Sequence, residues 1–148
     1  MKEEVIEGIR VVTPDKYVTD TMALVLWLEN RKLPPKVKDI FEKTLSIPPW
    51  ESIIYIPSIV LAEVGYLSEK GRIETNLLEI EKRLLPPNTG GFYVYGHQFE
   101  EIKTTFEITD IPELHDRLIA GVGRTLQCKI LTNDPKMINS NFVETLWE

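Results

Sequence analysis

Residues 16–30, Lys16-Tyr-Val-Thr-Asp-Thr-Met-Ala-Leu-Val-Leu-Trp-Leu-Glu-Asn30, decide the fold. Lys16 to Asp20 reads as a short apolar strand, and Thr21 to Asn30 as a helix that Leu33-Pro34-Pro35 stops. Asp20 therefore sits where a strand hands over to a helix. Working outward, Pro35 to Ser46 predicts a second helix with Val37, Ile40, Phe41 and Leu45 on one side and a break at Pro48-Pro49. Ser52 to Pro57 predicts a short buried strand, and Ser58 is placed to cap a helix containing Leu61, Val64 and Leu67, which Gly71 ends. Ile73 to Leu85 predicts an amphipathic helix closed by Pro86-Pro87, and Gly91 to Gly96 a third strand. A helix is expected over Gln98 to Thr109. Pro112 opens another, in which Leu114, Leu118, Val122 and Leu126 recur every four residues and define the expected buried side. Lys129 to Thr132 predicts a strand, Asp134-Pro135 a short helical turn, and Phe142 to Trp147 a last edge strand.

Strands alternate with helices, and no hairpin signal such as Asn-Gly stands between two strands. This pattern predicts an α/β fold with a mainly parallel sheet covered by helices on both faces. In such sheets sites form at the carboxyl ends of the strands, where Asp20 and Asp134 both fall.

The 148 residues suit a single domain spanning 1–148, with residues 1–15 an N-terminal extension whose structure the pattern leaves open. With 43% hydrophobic and 27% charged residues the chain has material for a core and no disordered tract. Its longest apolar runs, Met22 to Leu28 and Ile53 to Val64, fall short of the roughly 20 residues a membrane helix needs. Met1 to Arg10 carries Glu3, Glu4 and Glu7 and lacks the apolar core of a secretory signal. Cys128 is the lone cysteine, expected as a buried structural thiol, and it fits a reducing cytoplasm. The net charge of -6 opposes general nucleic-acid binding, so any RNA contact must be local or assisted by metal.

Four acids carry the chemistry. Glu63 interrupts an apolar helix, with Ile59 and Tyr66 as helical neighbours, and a carboxylate there needs a partner. The plain alternative is a boundary residue reaching solvent or Lys70. Asp116 shares a helical face with Ala120 and Gly123, which leaves room for a ligand, although a first-turn Asp is also favoured by the helix dipole. Asp20 and Asp134 each have an ordinary reading as helix caps. Taken as a set, two acids at strand ends and two on helices match the oxygen ligands that Mg²⁺ or Mn²⁺ requires.

Four motifs, Val18-Thr-Asp-Thr-Met-Ala-Leu24, Ile56-Pro-Ser-Ile-Val-Leu-Ala-Glu-Val-Gly-Tyr66, Leu114-His-Asp-Arg-Leu-Ile-Ala120 and Ile130-Leu-Thr-Asn-Asp134, follow one another in this order. Together they resemble the PIN-domain nucleases, and within them the VapC-like toxins of toxin-antitoxin pairs, over about Tyr17 to Trp147. That resemblance implies a three-layer α/β/α fold on about five parallel strands and metal-dependent hydrolysis of RNA. It further implies Asp20, Glu63, Asp116 and Asp134 as metal-binding acids, with Thr21 and Thr132 as polar neighbours. The partners it implies are a second copy of the chain and a cognate antitoxin. Two glycines depart from the pattern: Gly121 and Gly123 stand where alanines are usual, which should weaken that helix by about 1 kcal/mol each.

Arg117 and Arg124, two turns apart on the Asp116 helix, are candidate substrate-binding cations, while Arg31, Lys32, Lys36 and Lys38 read as a solvated basic cluster. Hydrogen-bonding roles are expected for His97 and His115. Trp27, Trp50 and Trp147 are spaced like core or interface aromatics. A phosphatase would need an acid where Met22 stands, a phospho-acceptor domain would need paired acids near the first strand, and no Walker-type glycine loop exists. The competing reading from another class is a non-catalytic PIN-fold module that binds RNA or protein.

Overall fold

The computed structural model describes residues 1–45, 48, 50–87 and 90–148. Ser46 and Pro49, at the expected end of the second helix, lie outside them.

The chain opens with two antiparallel strands, β1 (Lys2–Ile6) and β2 (Ile9–Thr13), joined by Glu7 and Gly8. Both joining residues have positive φ, 51° and 80°, as a two-residue hairpin turn requires. The sequence carries no strong signal for this hairpin because Glu seldom enters the left-handed region, which only Gly8 adopts freely. The Met1 amino group meets Asp15 Oδ2 at 2.5 Å, tying the hairpin to the start of β3 (Asp15–Thr19).

There follow α1 (Thr21–Leu28), α2 (Pro35–Thr44), β4 (Ser52–Pro57), α3 (Ser58–Glu69) and α4 (Leu77–Leu84). Next come β5 (Phe92–Tyr95), α5 (Phe99–Thr105), α6 (Leu114–Leu126), β6 (Lys129–Leu131), α7 (Pro135–Ile138) and β7 (Thr145–Leu146). Strands β3 to β7 form a five-stranded sheet in the order β5-β4-β3-β6-β7, parallel throughout. Helices flank it, giving the three-layer α/β/α arrangement. The chain builds outward from β3 through β4 to β5, then returns to lay β6 on the other side of β3. Strand order therefore reverses between β3 and β6, and a crevice forms at their carboxyl ends. Thr19 stands in register with Leu131, so Asp20 and Thr132 leave the sheet side by side.

Val18, Ile54, Ile56, Ile130 and Leu131 are fully buried in the sheet, as expected for strands covered on both faces. On α2, Phe41 stacks on Trp27 at 5.0 Å between ring centroids, and Trp27 on Phe92 at 5.4 Å. Helix α6 packs across β3, β4 and β6, with α3 and α5 against it. Its buried side matches the expected one only in part: Val122 is buried and Leu126 packs on the core, but Ile119, Ala120, Gly121 and Gly123 make up the rest and Leu114 is 51% exposed. A spacing of four residues drifts by about 40° per step around a helix, so a run of three such steps cannot stay on one face. The glycines gain a reason here. A Cβ at Gly123 would stand 2.7 Å from Ile130 Cγ1, so its absence lets α6 lie close on β6. Ser58 does not cap α3, whose N-cap residue is Pro57. Among the described residues no helix is long and apolar enough to cross a membrane.

Candidate functional site

Asp20 follows β3 directly and caps α1, its Oδ1 accepting from the Ala23 amide at 2.8 Å. Its Oδ2 accepts from Thr132 Oγ1 at 2.5 Å, and the residue is 8% exposed. Asp134 stands three residues after the end of β6 and caps α7 through the Lys136 amide at 2.9 Å. The Asp134 amide donates to Thr132 Oγ1 at 3.0 Å, so Thr132 links the two acids. Both acids are thus caps, as the plain reading expects. Capping leaves carboxylate lone pairs facing the crevice, so it does not compete with binding a ligand.

Glu63 sits in the second turn of α3. It does not turn to Lys70, which lies over the Tyr66 ring. Its Oε1 accepts from Thr21 Oγ1 at 3.0 Å, and its Oε2 is 4.0 Å from His115 Nδ1. Asp116 lies in the first turn of α6, which Glu113 caps by accepting from the His115 and Asp116 amides. Asp134 faces Asp116 across the cavity and favours its protonated form. All four acids, with Thr21 and Trp147, line one cavity of about 460 Å³ at the carboxyl ends of β3 and β6.

The electrostatics follow from this crowding. Burial pushes Asp20 up to about 6, against the hydrogen bonds from Thr132 and Ala23 and with help from the charges of Asp134 and Glu63. Burial also pushes Asp116 up to about 7, and the charges that act on it, Asp134, Glu113 and Glu63, are all negative. Glu63 is raised chiefly by burial, against the Thr21 hydrogen bond and the His115 ring. Acids held this way gain most from a cation.

The lining offers oxygen donors, four carboxylates, the Thr21 hydroxyl and the Asn133 amide, and among the described residues it holds no thiol or imidazole. That chemistry fits a hard divalent ion. Among the described residues no three His, Cys, Asp or Glu side chains stand together as a group able to hold a metal. The four carboxyls share the lining of one cavity, and holding an ion there would draw them closer together.

Neither arginine reaches the cavity. Arg117 Nε donates to the Ile111 carbonyl, and Arg124 pairs with Glu107 at 3.2 Å and lies over Phe142. Arg124 lines a separate cavity with Cys128, whose thiol burial pushes up. Helix geometry explains this, since positions 117 and 124 lie about 100° and 80° around α6 from Asp116. Sequence reasoning missed Met22, Asn133 and Trp147 as cavity residues. The signal for Trp147 was its place just after the last strand, at the same sheet edge as Asp20 and Asp134.

The PIN domain family profile matches residues 17–142. No curated protein is significantly similar in sequence. Among solved structures, the chain is similar to one in the VapBC2 complex of Rickettsia felis bound to a promoter DNA fragment. The TM-score is 0.67 at 20% identity, covering 90% of this chain and 99% of that one. DNA-bound VapBC from Salmonella typhimurium gives 0.65 at 20% identity, covering 89% and 97%. VapC20 from Mycobacterium tuberculosis, described as a sarcin-ricin loop cleaving toxin, gives 0.60 at 16% identity, covering 89% and 99%. At these identities the neighbours bear on fold alone, but the profile spans most of the chain, from Tyr17 in β3 to Phe142 before β7, and the chain belongs to the PIN-domain family.

Proposed function

We propose that this chain is a divalent-metal-dependent ribonuclease of the VapC toxin type, restrained by a cognate antitoxin and acting as a homodimer in the cytoplasm. Residues 1–148 make one PIN-like domain, with the β1-β2 hairpin as an appendage. The observation that carries the reading is the convergence of Asp20, Glu63, Asp116 and Asp134 on one cavity at the point where strand order reverses. The solved VapBC structures of the same fold support the toxin assignment and the antitoxin partner.

A bound Mg²⁺ or Mn²⁺ supplies activation of water and neutralisation of phosphate charge. The chain's own residues do the rest. Thr132 fixes Asp20, and Thr21 orients Glu63, so two of the acids are aimed before a ligand arrives. Asp116, buried and crowded by the charges of Asp134, Glu113 and Glu63, holds its proton more tightly than a free Asp and would give it up to a bound cation. With a net charge of -6 and an acidic cavity, the protein repels an RNA backbone unless those carboxylates are neutralised.

A second reading, the non-catalytic module, is favoured by the lack of a ready metal-holding group among the described residues. Cleavage of a structured RNA mixture separates the two, with wild type and folded Asp116→Asn compared in Mg²⁺, Mn²⁺ and EDTA. Metal-dependent cutting that the variant loses is expected. Metal binding with no cutting on any RNA would favour the module.

A further inference from the structure

Helix α3 carries Glu63 yet has no side-chain cap of its own, because its N-cap residue is Pro57. The cap comes from far along the chain. The Ile59 amide, in the first turn, donates to His97 Nε2 at 3.2 Å. His97 follows β5, at the same end of the sheet as the acid cavity. An imidazole nitrogen that accepts carries no hydrogen, so the ring proton sits on Nδ1. From there it is donated to Glu101 Oε1 at 2.8 Å.

Glu101 is a polar residue with 0% exposure, outside the acid cavity, and the proposed reaction has no use for it. Its Oε2 accepts from Thr105 Oγ1 at 3.1 Å. Gly121 of α6 makes the space: a Cβ there would collide with Thr105 Oγ1 and stand 3.2 Å from Glu101 Oε2. Burying a carboxylate is costly unless its oxygens are held by donors. Here both are held, and the arrangement fixes one tautomer of one histidine. A carboxylate that orients an imidazole so that its far nitrogen performs a task is a recurring device around ligand sites.

We propose that Glu101 and His97 are positioning residues for Glu63. Glu101 sets the Nδ1–H tautomer, His97 holds the Ile59 amide, and Glu63 lies four residues further along the same helix, one turn away. Thr21 then receives the Glu63 carboxylate at 3.0 Å only if α3 is held at this height along its axis. The inference rests on the reading of Glu63 as a metal-binding acid.

Three measurements test it. Nitrogen NMR of the wild-type imidazoles is expected to report the Nδ1–H form at His97; an Nε2–H form overturns the proposal without any variant. Removing the acceptor with His97→Leu is expected to raise the Mn²⁺ dissociation constant by about 10- to 100-fold and to speed amide exchange at Ile59. His97→Gln, which keeps an acceptor where Nε2 stood, is expected to recover most of both. A folded His97→Leu protein that binds Mn²⁺ as tightly as wild type overturns the proposal, and so does a His97→Gln protein no better than His97→Leu. If wild type itself binds no Mn²⁺, the metal reading of the acid cavity fails and takes this inference with it; failure of the inference alone appears as tight binding in both proteins.

Discussion

The acid cavity is built from two kinds of position. Asp20 and Asp134 stand at strand-to-helix junctions and cap the helix that follows, with partners three and two residues away, and Thr132 at the adjacent strand end ties the two together. Glu63 and Asp116 stand on helices, and their places depend on residues distant in sequence. Thr21 is 42 residues from Glu63, and the Ile59 amide is held by His97, 38 residues away. Asp116 depends on where α6 lies, which Gly121 and Gly123 set by close approach to α5 and β6. Junction acids inherit their geometry from the sheet, whereas helix acids need the whole tertiary structure.

The largest effect expected from breaking this arrangement is on catalysis. Asp116→Asn should lower metal-dependent RNA cleavage by more than about 100-fold, read in single-turnover assays with the fold intact by circular dichroism. Gly123→Ala comes next. Its Cβ would meet Ile130 side-chain atoms at 2.7 and 2.9 Å, so overpacking of about 1–3 kcal/mol should outweigh the gain of about 1 kcal/mol in helix propensity. Urea unfolding would show a lower midpoint, and a more stable variant would mean that α6 does not need its close approach.

Acidity gives a further, smaller contrast. Asp20 at about 6 and Asp116 at about 7 bind protons more tightly in the folded chain than in the unfolded one, where ordinary values near 4 apply. Between about pH 4 and pH 7 the folded state therefore holds more protons. The stability that these two carboxyls contribute to the metal-free protein is fully present below that window and lost as pH rises through it. Glu29, whose burial is outweighed by hydrogen bonds from Thr75 and Glu74, and Asp110, held by the Asn141 amide, act in the opposite sense. Their contribution is lost only below about pH 4. A higher melting temperature at pH 5 than at pH 7.5 is expected in EDTA, reduced in Asp116→Asn; a profile that rises toward pH 7.5 would contradict the crowding of these carboxyls.

Two cap substitutions sharpen the comparison at the small end. Asp20→Ala should cost about 1 kcal/mol more than Asp20→Asn, because Asn keeps the cap on α1. Ser58→Ala should change stability by less than about 0.5 kcal/mol, since α3 takes its cap from His97 instead.

The same contrast explains what could be read from the sequence. The strand at 52–57, the helix after Asp20 and the β6 strand before Asp134 follow from local periodicity and punctuation, and the mainly parallel sheet follows from their alternation, with its five strands implied by the family resemblance. The junction acids were visible with them. The hairpin at Glu7 and Gly8 was not, because its turn uses a residue that rarely takes positive φ. The spacing of large apolar residues places Val122 and Leu126 against the core but not Ala120, Gly121 and Gly123, whose small size is what permits the contact. Ser58 looked like a cap, but the chain is already helical at that residue. Arg117 and Arg124 were candidates by proximity in sequence, and helix rotation carries them elsewhere. In each case the missing information was a contact with a distant element.

The central claim is that junction acids and helix acids serve one metal site. Thermal unfolding with and without Mn²⁺ tests it most directly, in wild type, Asp20→Asn and Glu63→Gln, one variant from each kind of position. Mn²⁺ at a hundredfold excess over its dissociation constant should stabilise wild type by about 2.7 kcal/mol, and the increase should vanish in both variants. An undiminished response in either variant would contradict the claim, because that acid would then stand outside the site.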